Sequence, residues 1–197
     1  MQKQNCNVRR LTLIAMLAAI ATLLMYIEFP LPLLPPFLKL DISGVPILLA
    51  AFLMGPVPAM AVTLVKDLIH LLSTQTGGVG ELADFIVMST FATTAGLIYK
   101  RHKTKAGALW GCLAGSLAIM VVGALANQWL IIPFYSKVMP IEAIVAACAA
   151  INPAIDSISA YIWYGAAPFN LVKGVVISLI TVLTYKRLSN ILKKSIC

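Results

Sequence analysis

Long apolar runs separated by short polar breaks set the plan of the chain. Runs at roughly 10–28, 43–54, 57–74, 81–99, 106–132 and 166–188 predict six transmembrane helices in a single membrane domain spanning 1–197, so the expected fold class is an all-α integral membrane protein. The run at 43–54 is about a dozen residues where a crossing usually takes about 20, and on length alone it suits a re-entrant element. Between the first two runs, Pro30, Pro32, Pro35 and Pro36 exclude helix and imply an extended outer loop. A second long break from Pro133 to Ala167 contains Ile141 to Ala150, which reads as a short interfacial helix.

Charge placement decides between a re-entrant element and a span. Lys3, Arg9 and Arg10 precede the first run, Lys100, Arg101, Lys103 and Lys105 form a central cluster, and Lys186, Arg187, Lys193 and Lys194 end the chain. All seven acids avoid these clusters. By the positive-inside rule the clusters are cytoplasmic, which places both termini on the cytoplasmic side and requires an even number of crossings before Lys100. Only if 43–54 crosses does the number come to four, and Gly55-Pro56 then becomes a tight cytoplasmic turn.

Composition agrees with this reading. Of 197 residues, 60% are hydrophobic and 11% charged, far more apolar surface than a soluble domain of this size needs. A net charge of +8 would suggest nucleic acid in a soluble protein, but charges set at span ends imply a lipid bilayer and no nucleic-acid partner. Cys6, Cys112, Cys148 and Cys197 follow no regular spacing, so neither a disulfide framework nor a metal site is expected. Arg9-Arg10 precedes a run too long for a signal-peptide core, and the first span is expected to stay in the mature protein.

Candidate chemistry lies where polar residues interrupt the apolar runs. The sharpest case is Pro168 to Gly174, where Pro168 suits the first position of the last helix and Asn170 and Lys173 share a face one turn on. Lys173 would then sit about 7 to 8 Å inside the helix, where a charge either meets a ligand or partner or snorkels to the headgroups along its stem. In the third run Thr63, Lys66, Asp67 and His70 form a polar stripe, and because Lys66 and Asp67 are adjacent each is expected to need a partner on another helix. His70 reads as a hydrogen-bonded core residue, and Gln75 to Gly80 as a flexible lid or hinge.

Glu81 and Asp84 open the fourth run one turn apart; Glu81 suits dipole capping, and Asp84 lies deeper. No nucleophile or metal-ligand pattern accompanies them, and no catalytic residue is assigned. Gly107-x-x-x-Gly111-x-x-x-Gly115 marks a close-packing face, within the chain or against a partner, and Ala15-x-x-x-Ala19 is a second small-residue face with the same two readings. Asn127 either bonds a neighbouring helix or enters a pocket. Trp129, Phe134, Tyr135, Tyr161, Trp163 and Tyr164 suit an aromatic belt, or the walls of an aromatic ligand site. No G-x-x-x-x-G-K-[ST] occurs, so the chain carries no P-loop of its own.

Leu38-Lys39-Leu40-Asp41-Ile42-Ser43, Val45-Pro46, Gly55-Pro56, Gly77 to Phe85, Asn152-Pro153 and Pro168 to Gly174 together resemble the riboflavin-binding S components of energy-coupling factor (ECF) transporters, over nearly the whole chain from Arg10 to Leu188. The resemblance implies a six-helix receptor in the bacterial plasma membrane that captures riboflavin at the outer face. It also implies partnership with a transmembrane coupling protein and two cytoplasmic ATPases, and release by toppling in the membrane. Riboflavin would be transported, not held as a cofactor, and the chain would not be an enzyme. Asn127, Asn170 and Lys173 match the family's flavin-contacting residues, while Ala15 and Ala19 match its docking motif. With Asp84, Glu81 and Asp41 they make up the candidate substrate-binding and partner-docking set. Asp67 and Asp84 stand where the family commonly has Asn, adding negative charge that disfavours phosphorylated flavins. An S component for another vitamin, a small integral membrane enzyme acting on lipid and a structural or assembly protein remain as alternatives.

Overall fold

The computed structural model describes residues 2–31, 38–74, 76–136 and 140–193. In chain order the elements are α1 (Gln2–Met25), an antiparallel pair β1 (Phe29–Pro30) and β2 (Lys39–Leu40), α2 (Gly44–Met54), α3 (Pro56–His70), α4 (Val79–Arg101), α5 (Lys105–Ala126), α6 (Ile132–Tyr135), α7 (Ile141–Ala149), α8 (Ile158–Ala160) and α9 (Ala167–Lys193). A five-residue π-helical segment, Asn127–Ile131, joins α5 to α6, and a six-residue one, Tyr161–Ala166, joins α8 to α9. Among the described residues six helices make up the bundle: α1, α2, α3, α4, α5 with α6, and α8 with α9.

Five of these are long and apolar enough to cross a membrane; α2, with 11 residues, is not. At about 1.5 Å per residue it covers roughly 16 Å, half of a hydrocarbon core of about 30 Å. The segment expected to span at 43–54 therefore holds a helix of half that length, and the residues from Lys39 to Ser43 carry the chain over the rest of the depth. Its surroundings explain why it is apolar on every side: Gly44 to Phe52 are all buried. Asp41 starts it by accepting the Ser43 amide on Oδ1 (2.8 Å), and Gly55 at φ 96° ends it, followed at once by Pro56 at the head of α3.

Packing between helices in lipid depends on close approach, because lipid tails are as apolar as the side chains they would replace. The glycine ladder of α5 serves this within the chain. A Cβ at Gly111 would come 2.8 Å from the Ala95 carbonyl, and one at Gly115 would meet the Phe91 ring at 2.5 Å, so α4 and α5 touch backbone to side chain. A main core runs through α1 to α5 and reaches Ile177 on α9. A smaller one gathers Ala124, Ile132, Cys148, Ile155 and Tyr161, and the buried Cys148 thiol is pushed up to about 11 by loss of water.

Pro168 does not head the last helix. That helix begins at Ile158, about 22 Å of helical rise before Lys173, and Pro168 lies within it, two residues beyond the π segment. Pro133 stands in the same relation to the first π segment. A proline brings no N–H to the preceding turn, and a local shift to wider π bonding lets a membrane helix continue past it. Here the Ile132 amide reaches back to the Asn127 carbonyl, and the Ala167 amide to the Ile162 carbonyl.

The break after α1 holds the short β1–β2 ladder, whose Pro30 is in extended backbone, and Pro32, Pro35 and Pro36 lie outside the described residues. Trp129, Phe134, Trp163 and Tyr164 are exposed, as a belt at the membrane surface would be, whereas Tyr161 is buried.

Candidate ligand-binding site

Five charged side chains from α3, α4, α9 and the segment before α2 meet inside the bundle. Lys173 Nζ donates to Asp41 Oδ2 at 2.9 Å and to Asp84 Oδ1 at 2.6 Å. The other oxygen of Asp84 accepts from Lys66 Nζ at 2.5 Å, and Lys66 also reaches Met25 Sδ at 3.2 Å. Asp67 Oδ1 is 2.6 Å from Lys66 Nζ, but neither of its oxygens is in hydrogen-bond alignment. The order Asp41–Lys173–Asp84–Lys66–Asp67 alternates in sign and leaves one carboxylate in excess. Lys66 and Lys173 are 0% and 4% exposed, so Lys173 does not snorkel. Such a network is held by mutual pairing, since an isolated charge at this depth would be expelled or neutralised.

The expected partner on another helix is found for Lys66, in Asp84, but not for Asp67, whose near neighbour is Lys66 itself. Adjacent residues diverge at Cβ, but a four-carbon stem is long enough to bring the ammonium back beside its neighbour while it also reaches Asp84 on the next helix.

Above this network lies a cavity of about 630 Å³. Asp41, Asp84, Glu81, Asn127, Asn170 and Lys173, the six substrate-binding candidates, line it, and Ala15 and Ala19 do not. Leu38, Val87, Ile131, Tyr161 and Phe169 add apolar and aromatic wall. Asn170 Nδ2 donates to the Ala166 carbonyl at 2.8 Å, and a Cβ at Gly123 would come 2.5 Å from that nitrogen, so α5 and α9 close tightly around it. Asn127 both bonds a neighbouring helix and faces the cavity: Nδ2 donates to the Gly123 carbonyl (2.8 Å), and Oδ1 accepts from the Tyr161 hydroxyl (3.3 Å).

Glu81 does more than sit at a helix start. Its carboxylate meets His70 Nδ1 at 2.8 Å and accepts from the Thr74 and Thr76 hydroxyls at 3.0 and 3.3 Å. The same hydroxyls accept the amides of Gly78 and Gly80, so the turn into α4, with Gly77 and Gly78 at positive φ, is tied down at several points. The reading of Gln75 to Gly80 as a flexible lid omitted these ties; Gln75 itself lies outside the described residues. Tyr26 adds a strut from α1 through its hydroxyl to Ser73 Oγ (2.9 Å), and Glu28 pairs with Lys39 across the β1–β2 hairpin.

Sequence reading did not place Tyr26, Thr76 or Phe169 in the site. Tyr26 and Phe169 are ordinary apolar-run residues until the fold brings them to the cavity, Phe169 buried in its wall and Tyr26 exposed at its edge. Thr76, beside two glycines, carried a weak signal as a residue able to hold a turn.

A helical membrane protein with a ligand-sized chamber near one end, floored by a fixed ion network and lacking a P-loop, has the design of a substrate-capturing membrane receptor. The family model for the substrate-specific component of ECF transporters matches residues 9–185, and the chain belongs to that family. Among similar proteins, the riboflavin transporter RibU of Staphylococcus aureus is 37% identical over 186 residues, covering 94% of this chain and 93% of the relative. The riboflavin transporter FmnP of Bacillus subtilis is 30% identical over 185 residues, covering 92% and 93%. A solved structure of the S component of a bacterial ECF transporter superposes with a TM-score of 0.77 at 35% identity, covering 95% of this chain and 99% of that one. The chain is accordingly a multi-pass membrane protein of a transporter and not an enzyme.

Proposed function

We propose that the chain captures riboflavin in the 630 Å³ cavity and passes it inward in partnership with a transmembrane coupling protein and two cytoplasmic ATPases. The observation that carries this reading is the pairing of apolar walls with one fixed polar floor in a chamber of ligand size. Riboflavin presents a flat aromatic system, an edge of donors and acceptors and a chain of hydroxyls. Tyr161 and Phe169 suit the first, Asn127, Asn170 and Lys173 the second, and Asp41, Asp84 and Glu81 the third. The names of the S. aureus and B. subtilis relatives support the same ligand.

Docking of the coupling protein is assigned to the outward face of α1. Ala15 and Ala19 are exposed on that face, while Ala18 and Ala21 are 1% and 0% exposed and pack inward. The basic clusters orient the bundle with both termini in the cytoplasm and the cavity outward. Purification of the chain from cells supplied with riboflavin tests the ligand: a yellow, flavin-absorbing product is expected, and a colourless protein that fails to quench added riboflavin fluorescence refutes it.

A further inference from the structure

A second cavity, about 320 Å³, lies at the opposite end of the bundle, where the amino-terminal half of α1, the Gly55 turn and the end of α4 converge. Arg10, Lys100 and Lys103 line it, and among the described residues no acid does. Its floor is apolar: the Phe52 and Tyr99 rings pack tilted against each other with centroids 4.8 Å apart, and the Tyr99 hydroxyl is held by that of Tyr185 at 2.6 Å. Arg10 Nη2 donates to the Met54 carbonyl at 3.0 Å, which commits one of five guanidinium N–H groups and fixes the side chain at the rim. Nothing in the capture of a vitamin at the far end uses these groups.

We propose that this cleft seats the headgroup of an anionic phospholipid. Charge complementarity is one reason, since three cations around one cleft without a counter-carboxylate favour a phosphate. Position is the other. Leu97 and Lys100, three residues apart, share a face of α4, and both are exposed; Val57 on the rim is 74% exposed. An acyl chain can therefore run along Leu97 while its phosphate sits at Lys100, whereas a soluble anion would leave the apolar half of the cleft unmatched. The bound lipid would hold this end of the bundle at headgroup depth.

The test uses the purified full chain in detergent, with phosphatidylglycerol or phosphatidylcholine added and lipid retention read by native mass spectrometry. Phosphatidylglycerol is expected to be retained in preference to phosphatidylcholine. The Lys100→Gln/Lys103→Gln variant should weaken that retention by about fivefold per cation removed. Arg101→Gln/Lys105→Gln removes the same charge from the same cluster outside the cleft and should retain lipid as the wild type does. Unchanged quenching of riboflavin fluorescence in both variants would show that each remains folded, and Lys100→Arg/Lys103→Arg should restore binding if either glutamine variant proves unstable. Equal loss in both glutamine pairs would mean a diffuse basic field, and equal retention of the two lipids mere apolar filling. Displacement of phosphatidylglycerol by equimolar inorganic phosphate would mean a site for the free anion. Failure of the Lys100→Gln/Lys103→Gln variant to co-purify with the coupling protein from cells, with lipid retention intact, would mean a protein-docking surface. Any of these four results overturns the proposal.

Discussion

Lys173 Nζ and Asp84 Oδ1 lie 2.6 Å apart across 89 positions of sequence, and this contact ties the last helix to the fourth beneath the cavity. Removing the ammonium leaves Asp41 and Asp84 with one partner fewer in a water-poor site. Lys173→Ala and Asn170→Ala are each expected to weaken riboflavin binding about ten- to a hundredfold, from a loss of about 1 to 3 kcal/mol per unmatched group. Lys173→Ala/Asp84→Asn should recover part of the thermal stability lost by the single change without recovering affinity. Fluorescence titration and a melting curve on each variant separate the two effects.

Among the described residues, each lysine lining the cavity already faces a carboxylate: Lys39 pairs with Glu28, and Lys173 with Asp41 and Asp84. A phosphate added to the ribityl end would meet Glu28, Glu81 and Asp41 without a cation committed to it. Flavin mononucleotide is therefore expected to bind at least about tenfold more weakly than riboflavin, a difference of about 1.4 kcal/mol. Parallel quenching titrations at one salt concentration check this.

Asp67 is the excess carboxylate of the network. Asp67→Asn keeps shape while removing one buried negative charge, and should leave the melting temperature unchanged or raised. Lys66→Ala strands two carboxylates and should cost about 3 to 5 kcal/mol. Equal destabilisation by the two would show that Asp67 is required as a charge.

Ala18 and Ala19 are neighbours with opposite surroundings. Ala19→Trp should preserve riboflavin binding and abolish co-purification with the coupling protein, because bulk prevents close helix approach. Ala18→Trp forces volume into a packed core and should reduce expression and stability instead, by about 1 to 3 kcal/mol or more. Orientation is checked separately by labelling single cysteines in cells: position 103 should be accessible only from inside, and position 136 from outside.

Much of this plan was legible in the chain because a bilayer limits the options so severely. Apolar length and basic flanks mark helices whatever their neighbours are, and among the described residues five helices are long and apolar enough to cross a membrane. Asn170 and Lys173 could be singled out because polar groups in an apolar run are costly. Three-dimensional pairing was less visible: no local pattern tells that Asp41 meets Lys173 over 132 positions. The π segments were also hidden. Pro168 looked like the beginning of a helix, since a proline's strongest local preference is for the first turn, and only packing against neighbouring helices lets the chain stay helical on both sides of it.

The half-length α2 bears on how the protein comes to have an interior at all. A bundle of six full-length helices would fill its own centre with side chains. Here the stave that begins beside Asp41 is cut short, and the depth it leaves unclaimed is lined by Glu28, Leu38 and Lys39 at the β1–β2 hairpin and by Asp41, Asp84 and Lys173 of the ion network. The chamber is thus the missing half of a helix, and lengthening α2 toward the hairpin would erase the binding site by completing the bundle.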